Sequence, residues 1–402
     1  MAAFLMLIAG DGVYERTRAA FGLIAEQIET IPPAPTDVPT VSPAPEVTSA
    51  PTASPQPTAE PAEPPRNIII AAAGTIYAPK SVRESVQEGT DHYDFTPTFE
   101  GLSGALAGAD LSIVTLETLA AGREKGYGNY NTTPQILDAL RAVGVNFVSL
   151  ATERALDKGY DGLDITASEL TSRSMGYAGA YPDGVNTGAT MLRIGGVQVA
   201  VLAYSYGLSD EGRKRTRDDS RGVVAMMESQ RVVRDITQAR VDGANIVVVL
   251  PHWGTKNSAQ TPDTVHDMAR TMAQAGADVI LGTHPNVAQG IERLQTVRSD
   301  GLTYETVVCY SLGCLLTDAR NSDNTAGMAV RLEMTYDPAT RRASPGELTV
   351  TPLYIARQRE DSGILYRVVD AENEQALQSL TMTEQAAAAQ AAKRVRSATQ
   401  EE

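Results

Sequence analysis

Ile246-Val247-Val248-Val249-Leu250-Pro251-His252-Trp253-Gly254 is the stretch on which the fold is read, because five apolar residues run without a polar interruption into a short segment rich in polar and turn-forming groups. A run without alternation describes a strand buried on both faces, the condition of a mostly parallel sheet covered by helices. Working outward, six more runs of this kind occur: Asn67–Ala71, Leu111–Thr115, Val145–Ser149, Val197–Tyr204, Val279–Leu281 and Val307–Cys309. Helical stretches separate them. Thr133-Pro134 opens residues 135–143 and Thr261-Pro262 opens residues 263–275, each with Pro at the expected first helical position, and Gly144 and Gly276 close them. Strands alternating with helices predict an α/β domain.

The flanks differ in texture. Residues 31–65 hold twelve of the 22 prolines, with no glycine and no aromatic residue. Such a segment cannot bury a core and favours an extended, semi-rigid polyproline conformation. It reads as residues 31–66 forming a disordered Pro/Thr/Ala-rich stalk, and stalks of this composition place the following domain outside the cytoplasm. Residues 1–30 begin with an apolar run, Met1 to Gly10, shorter than a bilayer requires. The expectation is an apolar segment and helix that is the end of a truncated membrane anchor; the alternative is a short buried or interfacial segment followed by a helix from Arg16 to Ile28. The domain is expected over residues 67–357, and residues 358–402 as a C-terminal helical tail, its Ala- and Gln-rich part exposed to solvent. The net charge of −15, from 49 acidic and 34 basic residues, argues against nucleic acid as a partner. The two cysteines, Cys309 and Cys314, provide no disulfide framework.

In open α/β sheets, sites form where strands end. Glu117 follows the second run, Glu153 and Arg154 the third, His252 the fifth, His284 the sixth and Ser311 the seventh, while Thr75 follows the first. Only four histidines exist, and two of them, His252 and His284, fall at strand ends. Imidazole and carboxylate groups converging from rigid strands are what a hydrolytic metal site needs. Glu117, His252 and His284 could supply three ligands, whereas a single histidine after a strand is more often a structural residue. His92 is expected at the surface, and His266 is expected to face away from the apolar stripe of its helix into solvent.

Six segments in order give these residues a context: Gly74-Thr75-Ile76-Tyr77, Thr115-Leu116-Glu117, Ala151-Thr152-Glu153-Arg154-Ala155-Leu156-Asp157, His252-Trp253-Gly254-Thr255-Lys256, Gly282-Thr283-His284-Pro285-Asn286 and Tyr310-Ser311-Leu312-Gly313-Cys314. Together they resemble the motifs of the CapA family, the poly-γ-glutamate capsule synthesis proteins, over about Asn67 to Leu353. The resemblance implies a metallophosphoesterase-like layered α/β sandwich of mostly parallel strands covered by helices. It also implies a role in synthesis, processing or tethering of an anionic cell-surface polymer such as poly-γ-glutamate, in an extracytoplasmic domain anchored to the membrane through its N-terminus.

Departures from the family pattern fall on polar positions. Thr75 and Thr115 replace Asp and Asn, Glu153 and Arg154 replace Asn and His, Lys256 replaces Glu, Asn286 replaces His and Cys314 replaces Asn. What remains is Glu117, His252 and His284 for one divalent metal, manganese or zinc, with Glu153 as a further ligand or general base; a two-metal site is not expected. Three readings follow from these residues. In the first, a metal-dependent hydrolase or transferase with a degenerate site uses Glu117, Glu153, His252 and His284. In the second, a catalytically degenerate relative binds carboxylate or phosphate through Thr75, Arg154, Lys256 and Asn286, with Ser311 in the turn beside them. In the third, the chain is a structural subunit of a membrane-bound synthesis complex.

Overall fold

The structure, a computed structural model, describes residues 63–182, 184, 188–218, 223–360 and 363–400. The expected N-terminal segment and all but the last residues of the expected stalk lie outside the described residues. Sixteen strands are present among those described: β1 (Arg66–Ile76), β2 (Leu111–Leu116), β3 (Phe147–Ser149), β4 (Gly176–Ala178), β5 (Ala180–Tyr181), β6 (Thr190–Ile194), β7 (Val197–Ser205), β8 (Val223–Val224), β9 (Ile246–His252), β10 (Val279–Leu281), β11 (Ile291–Val297), β12 (Thr303–Cys309), β13 (Cys314–Leu316), β14 (Ala326–Asp337), β15 (Arg342–Glu360) and β16 (Gly363–Asp370). Six of the seven expected runs lie wholly within strands, Val145–Ser149 is strand only from Phe147, and Val279–Leu281 matches β10 residue for residue.

Two sheets form the body. One runs β16-β15-β14-β1-β2-β3-β4, with β13 also paired to β1; the other runs β11-β12-β10-β9-β7-β6. The pairs β1–β2, β2–β3, β3–β4, β7–β9, β9–β10 and β10–β12 are parallel, and antiparallel strands flank them. Period-two geometry sends alternate residues of one strand to different cores. Ile68, Ile70 and Ala72 of β1 meet Ile246, Val248 and Leu250 of β9 in a core between the sheets. Ala71 and Ala73 face a second core with the helices Gln135–Ala142 and Gly159–Ser172, while Val247 and Val249 face a third with the helices Ser229–Val241 and Asp263–Ala275. The result is helices, sheet, sheet, helices, the α/β sandwich expected from double-sided burial. Each buried Val or Ile contributes about 1.5–3 kcal/mol.

The helix ends behave largely as read. Gly144 and Gly276 hold φ of +99° and +126° just past two helices. Pro134 is already helical at φ −60°, ψ −20°, but Pro262 is extended at ψ 148° and caps its helix from outside rather than occupying its first turn.

The C-terminal expectation needs correction. Residues 358–402 are not a helical tail: β16 pairs with β15 from Leu353↔Asp370 to Glu360↔Gly363. The helix Met382–Thr399 buries Ala388, Ala391, Ala392 and Val395. Small side chains let this helix lie close to Ala326, Tyr354 and Ala356, so its alanines are core residues rather than exposed ones. Among the described residues no helix is long and apolar enough to cross a membrane.

Candidate functional site

The parallel strands of both sheets point their C-terminal ends the same way, which gathers side chains far apart in sequence. Two glycines make the approach possible. A Cβ on Gly74 would sit 2.1 Å from the carbonyl oxygen of Gly313, and one on Gly282 would sit 2.2 Å from that of Tyr310. With hydrogen there instead, the 310–314 turn packs against the ends of β1 and β10, and Thr75 donates its N–H to the Gly313 carbonyl at 3.0 Å.

His252 ends β9 and is buried, and its Nδ1 lies 3.2 Å from the Thr283 hydroxyl. Its Nε2 lies 3.2 Å from Nδ1 of His284, with the rings 4.7 Å apart at 66°. His284 holds φ at +100°. A non-glycine residue in that region costs about 1–3 kcal/mol and persists only where its surroundings impose it. Burial drives the His252 imidazole well below its ordinary pKa, and burial, reinforced by Lys256 and Arg154 against the opposing pull of Glu153, holds His284 down to about 4. Both rings are therefore neutral at pH 7.

Tyr206, directly after β7, covers this pair. Its ring centroid lies 4.5 Å from that of His284, and its hydroxyl donates to the Glu153 carboxylate. Glu153 Oε1 also lies 3.2 Å from Arg154 Nε. Burial would raise the Glu153 carboxyl, but the Tyr206 hydroxyl, Arg154 and His284 outweigh it and hold it below the usual range. Arg154 is tied on its far side too. Nη1 lies 3.4 Å from Asp157 Oδ2, and the guanidinium stacks 4.0 Å over the Tyr130 ring, which packs in turn against Tyr77. The Ser209 hydroxyl donates to Asp157.

Glu117 follows β2 and is 5% exposed. Its carboxyl is pushed up to about 7, chiefly by burial and further by Glu153, with Lys256 and Arg154 opposing. Lys256 is exposed and has no ion-pair partner among the described residues, yet its charge bears on Glu117, Glu153 and His284. Asn286 is half-buried at φ +62°. The Thr75 hydroxyl is fully buried without a hydrogen-bond partner among the described residues.

The residues read from strand ends are thus largely brought together, with three differences. Ser311 is buried and its hydroxyl accepts from the Gly313 N–H at 3.2 Å, so it shapes its own turn rather than presenting itself to a ligand. Arg154 is not a free fork, because two carboxylates and an aromatic face already hold it. The expectation of one manganese or zinc ion on Glu117, His252 and His284 is not met by this donor set: among the described residues no group of three or more His, Cys, Asp or Glu side chains could hold a metal ion. The reason lies with the imidazoles and Glu153, which are already engaged. The two imidazoles bond each other, Glu153 is held by Tyr206 and Arg154, and two cations bear on the same carboxylates.

His92 pairs with Glu88 at the surface, as read. His266 is not simply solvated: its Nδ1 lies 2.8 Å from the Tyr310 hydroxyl, which donates to Glu292. Tyr206 and Tyr130 were not singled out in the sequence. Tyr206 carried a usable signal, since it stands at the end of the fourth run where the strand-end rule applies. Tyr130 lies in a loop and carried none.

The model of the bacterial capsule synthesis protein PGA_cap matches residues 69–319. The PGA biosynthesis protein CapA of Bacillus subtilis is 26% identical over 226 residues, covering 56% of this chain and 54% of that protein. The capsule biosynthesis protein CapA of Bacillus anthracis is 26% identical over 190 residues, covering 46% and 43%. A probable polyglutamine synthesis accessory protein of Mycobacterium tuberculosis is 25% identical over 240 residues, covering 57% and 61%. The chain spans about half the length of the CapA relatives. Among solved structures, a calcineurin-like phosphoesterase from Bacillus subtilis superposes with a TM-score of 0.46 at 13% identity, covering 82% of this chain and 100% of that one.

Proposed function

The chain belongs to the bacterial capsule synthesis protein family PGA_cap, and from that premise we propose that it acts in the synthesis or handling of a polyglutamate-type polymer by holding the polymer's carboxylates rather than by metal-dependent hydrolysis. The observation that carries this reading is Lys256, an exposed cation without an ion-pair partner among the described residues, beside a pair of neutral imidazoles. Arg154 assists from within. Its Nε and Nη1 face Glu153 and Asp157, and its positive charge stays on the buried side of the site.

The magnitude of the overall field sets how such a polymer would engage. A net charge of −15 repels a polyanion at long range, but charges are screened beyond about 8 Å at physiological salt. Recognition is then a contact of one or a few carboxylates with Lys256, not electrostatic capture of the whole polymer. A position outside the cytoplasm belongs to the same proposal; its support is the Pro-rich composition of residues 31–65 ahead of the domain.

The test is calorimetric titration of the full chain with a short γ-linked glutamate oligomer at physiological salt. Binding by the wild type, about tenfold weaker in Lys256→Ala and unchanged in Lys393→Ala on the C-terminal helix, is the expected result. No binding by the wild type, or full affinity in Lys256→Ala, overturns the reading. Metal analysis after dialysis against manganese and zinc adds a second criterion: one ion per chain, lost in His284→Ala, would restore the metal-dependent alternative.

A further inference from the structure

Next to the site, but separate from His252, His284 and Lys256, lies a cavity of about 590 Å³. That volume falls in the range of small-molecule sites. It shares Tyr130 and Asp157 with the site, and the Arg154 guanidinium touches both of them.

The charges that line the cavity mostly cancel in pairs. Lys125 Nζ lies 3.0 Å from Asp161, Arg215 lies 2.8 Å from Glu211, and Asp157 is held by Arg154. Among the described residues, two charges are left over. Lys158 donates from Nζ to the Tyr127 carbonyl oxygen at 3.0 Å, a neutral partner, and enters no ion pair among the described residues. Glu124, exposed at the rim, likewise has no ion-pair partner among them.

Lys158 is also held in place. A Cβ on Gly162 would sit 2.5 Å from the Lys158 Cβ, so glycine at 162 makes room for the stem of this lysine. One fixed cation and one carboxylate on the lining of the same cavity, each left without an ion-pair partner among the described residues, form a template for a ligand carrying both charges. We infer that this cavity binds the zwitterionic head of an α-amino acid, its carboxylate on Lys158 and its ammonium toward Glu124.

That head group has two sources: a free amino acid such as glutamate, or the amino-terminal unit of a glutamyl chain. The inference goes beyond the carboxylate-holding role of Lys256 and does not depend on it. The experiment titrates the full chain with glutamate, with γ-glutamylglutamate and with the N-acetylated form of each.

Binding of an unmodified compound, about tenfold weaker or more on N-acetylation and again in Lys158→Met, is the expected result. Met keeps the stem against Gly162 and removes only the charge, so loss of binding in that variant is not a loss of packing. Glu124→Gln weakens binding of the free-amine ligands and leaves that of the acetylated ones unchanged. Tighter binding of glutamate assigns the cavity to the free amino acid, and tighter binding of the dipeptide assigns it to a chain end. All of these titrations are run in the Lys256→Ala background, so that carboxylate binding at the first site does not contribute and the failure of one reading is distinguishable from the failure of the other. Equal affinity for acetylated and free-amine ligands, or unchanged affinity in Lys158→Met, overturns the inference, as does no binding of any of the four compounds.

Discussion

Replacing Glu117 by Gln asks whether a carboxyl at the end of β2 is kept neutral by its surroundings. The group is 5% exposed, and burial pushes its pKa from 4.5 to about 7. The sign follows from proton uptake. Between pH 4.5 and 7 the folded chain holds a proton on Glu117 that the unfolded chain has released, so stability is greatest below 4.5 and is lost as pH rises through 7. The whole difference is about 3 kcal/mol, most of which falls between pH 5 and pH 8. Glutamine has the same shape and cannot ionise. In urea unfolding followed by circular dichroism, the stability of Glu117→Gln relative to wild type should therefore rise by about 2–3 kcal/mol from pH 5 to pH 8. Subtracting wild type from variant at each pH removes the contributions of the other titrating groups. A relative stability that stays flat across this range, or falls, would refute the reasoning. A fall would mean that the ionised carboxylate is favoured in the folded chain, as it would be on a bound cation.

Further outcomes follow from the same structure. His284, held down to about 4, should oppose Glu117 on the acid side: stability present above pH 6.5 is lost as pH falls toward 4, because only the unfolded chain readily takes up that proton, and His284→Gln should flatten this limb in the same assay. Asp278 is 2% exposed, pairs with Arg298 at 3.0 Å and with Arg240, and accepts the Val247 N–H at 2.8 Å, so Asp278→Ala should cost about 3–5 kcal/mol; a loss below about 1 kcal/mol would show the cluster to be incidental. Gly74→Ala should destabilise the domain by about 1–3 kcal/mol or more, measured as a lowered Tm, since the added methyl meets a backbone carbonyl that cannot rotate away.

Much of the site was legible because strand ends are legible. Glu117, Glu153, His252 and His284 each stand directly after an apolar run or a few residues beyond it, and parallel pairing brings those ends to one side of both sheets. The tie between Arg154 and its neighbours had a local signal as well: Glu153 and Asp157 lie one and three residues away in the same short turn, close enough to hold the guanidinium without any long-range contact. The alanines of Met382–Thr399 had no such signal. Alanine is an excellent helix former whether exposed or buried, so composition predicts the helix and not what lies against it.

The sequence by itself determined the α/β class, the seven parallel or flanking strands with continuous apolar runs, and the list of groups available at their ends, because burial on both faces leaves a pattern that needs no partner to be read. Tertiary structure alone decided the rest. β15 carries a half-exposed, mixed pattern over Arg342–Glu360, and only its pairing with β14 and β16 makes it a strand. The protonation of Glu117 and the neutrality of the histidine pair depend on burial and on charges from other segments, Lys256 and Arg154 among them. Such energies are sums over neighbours in space, and one residue's place in the chain does not contain them.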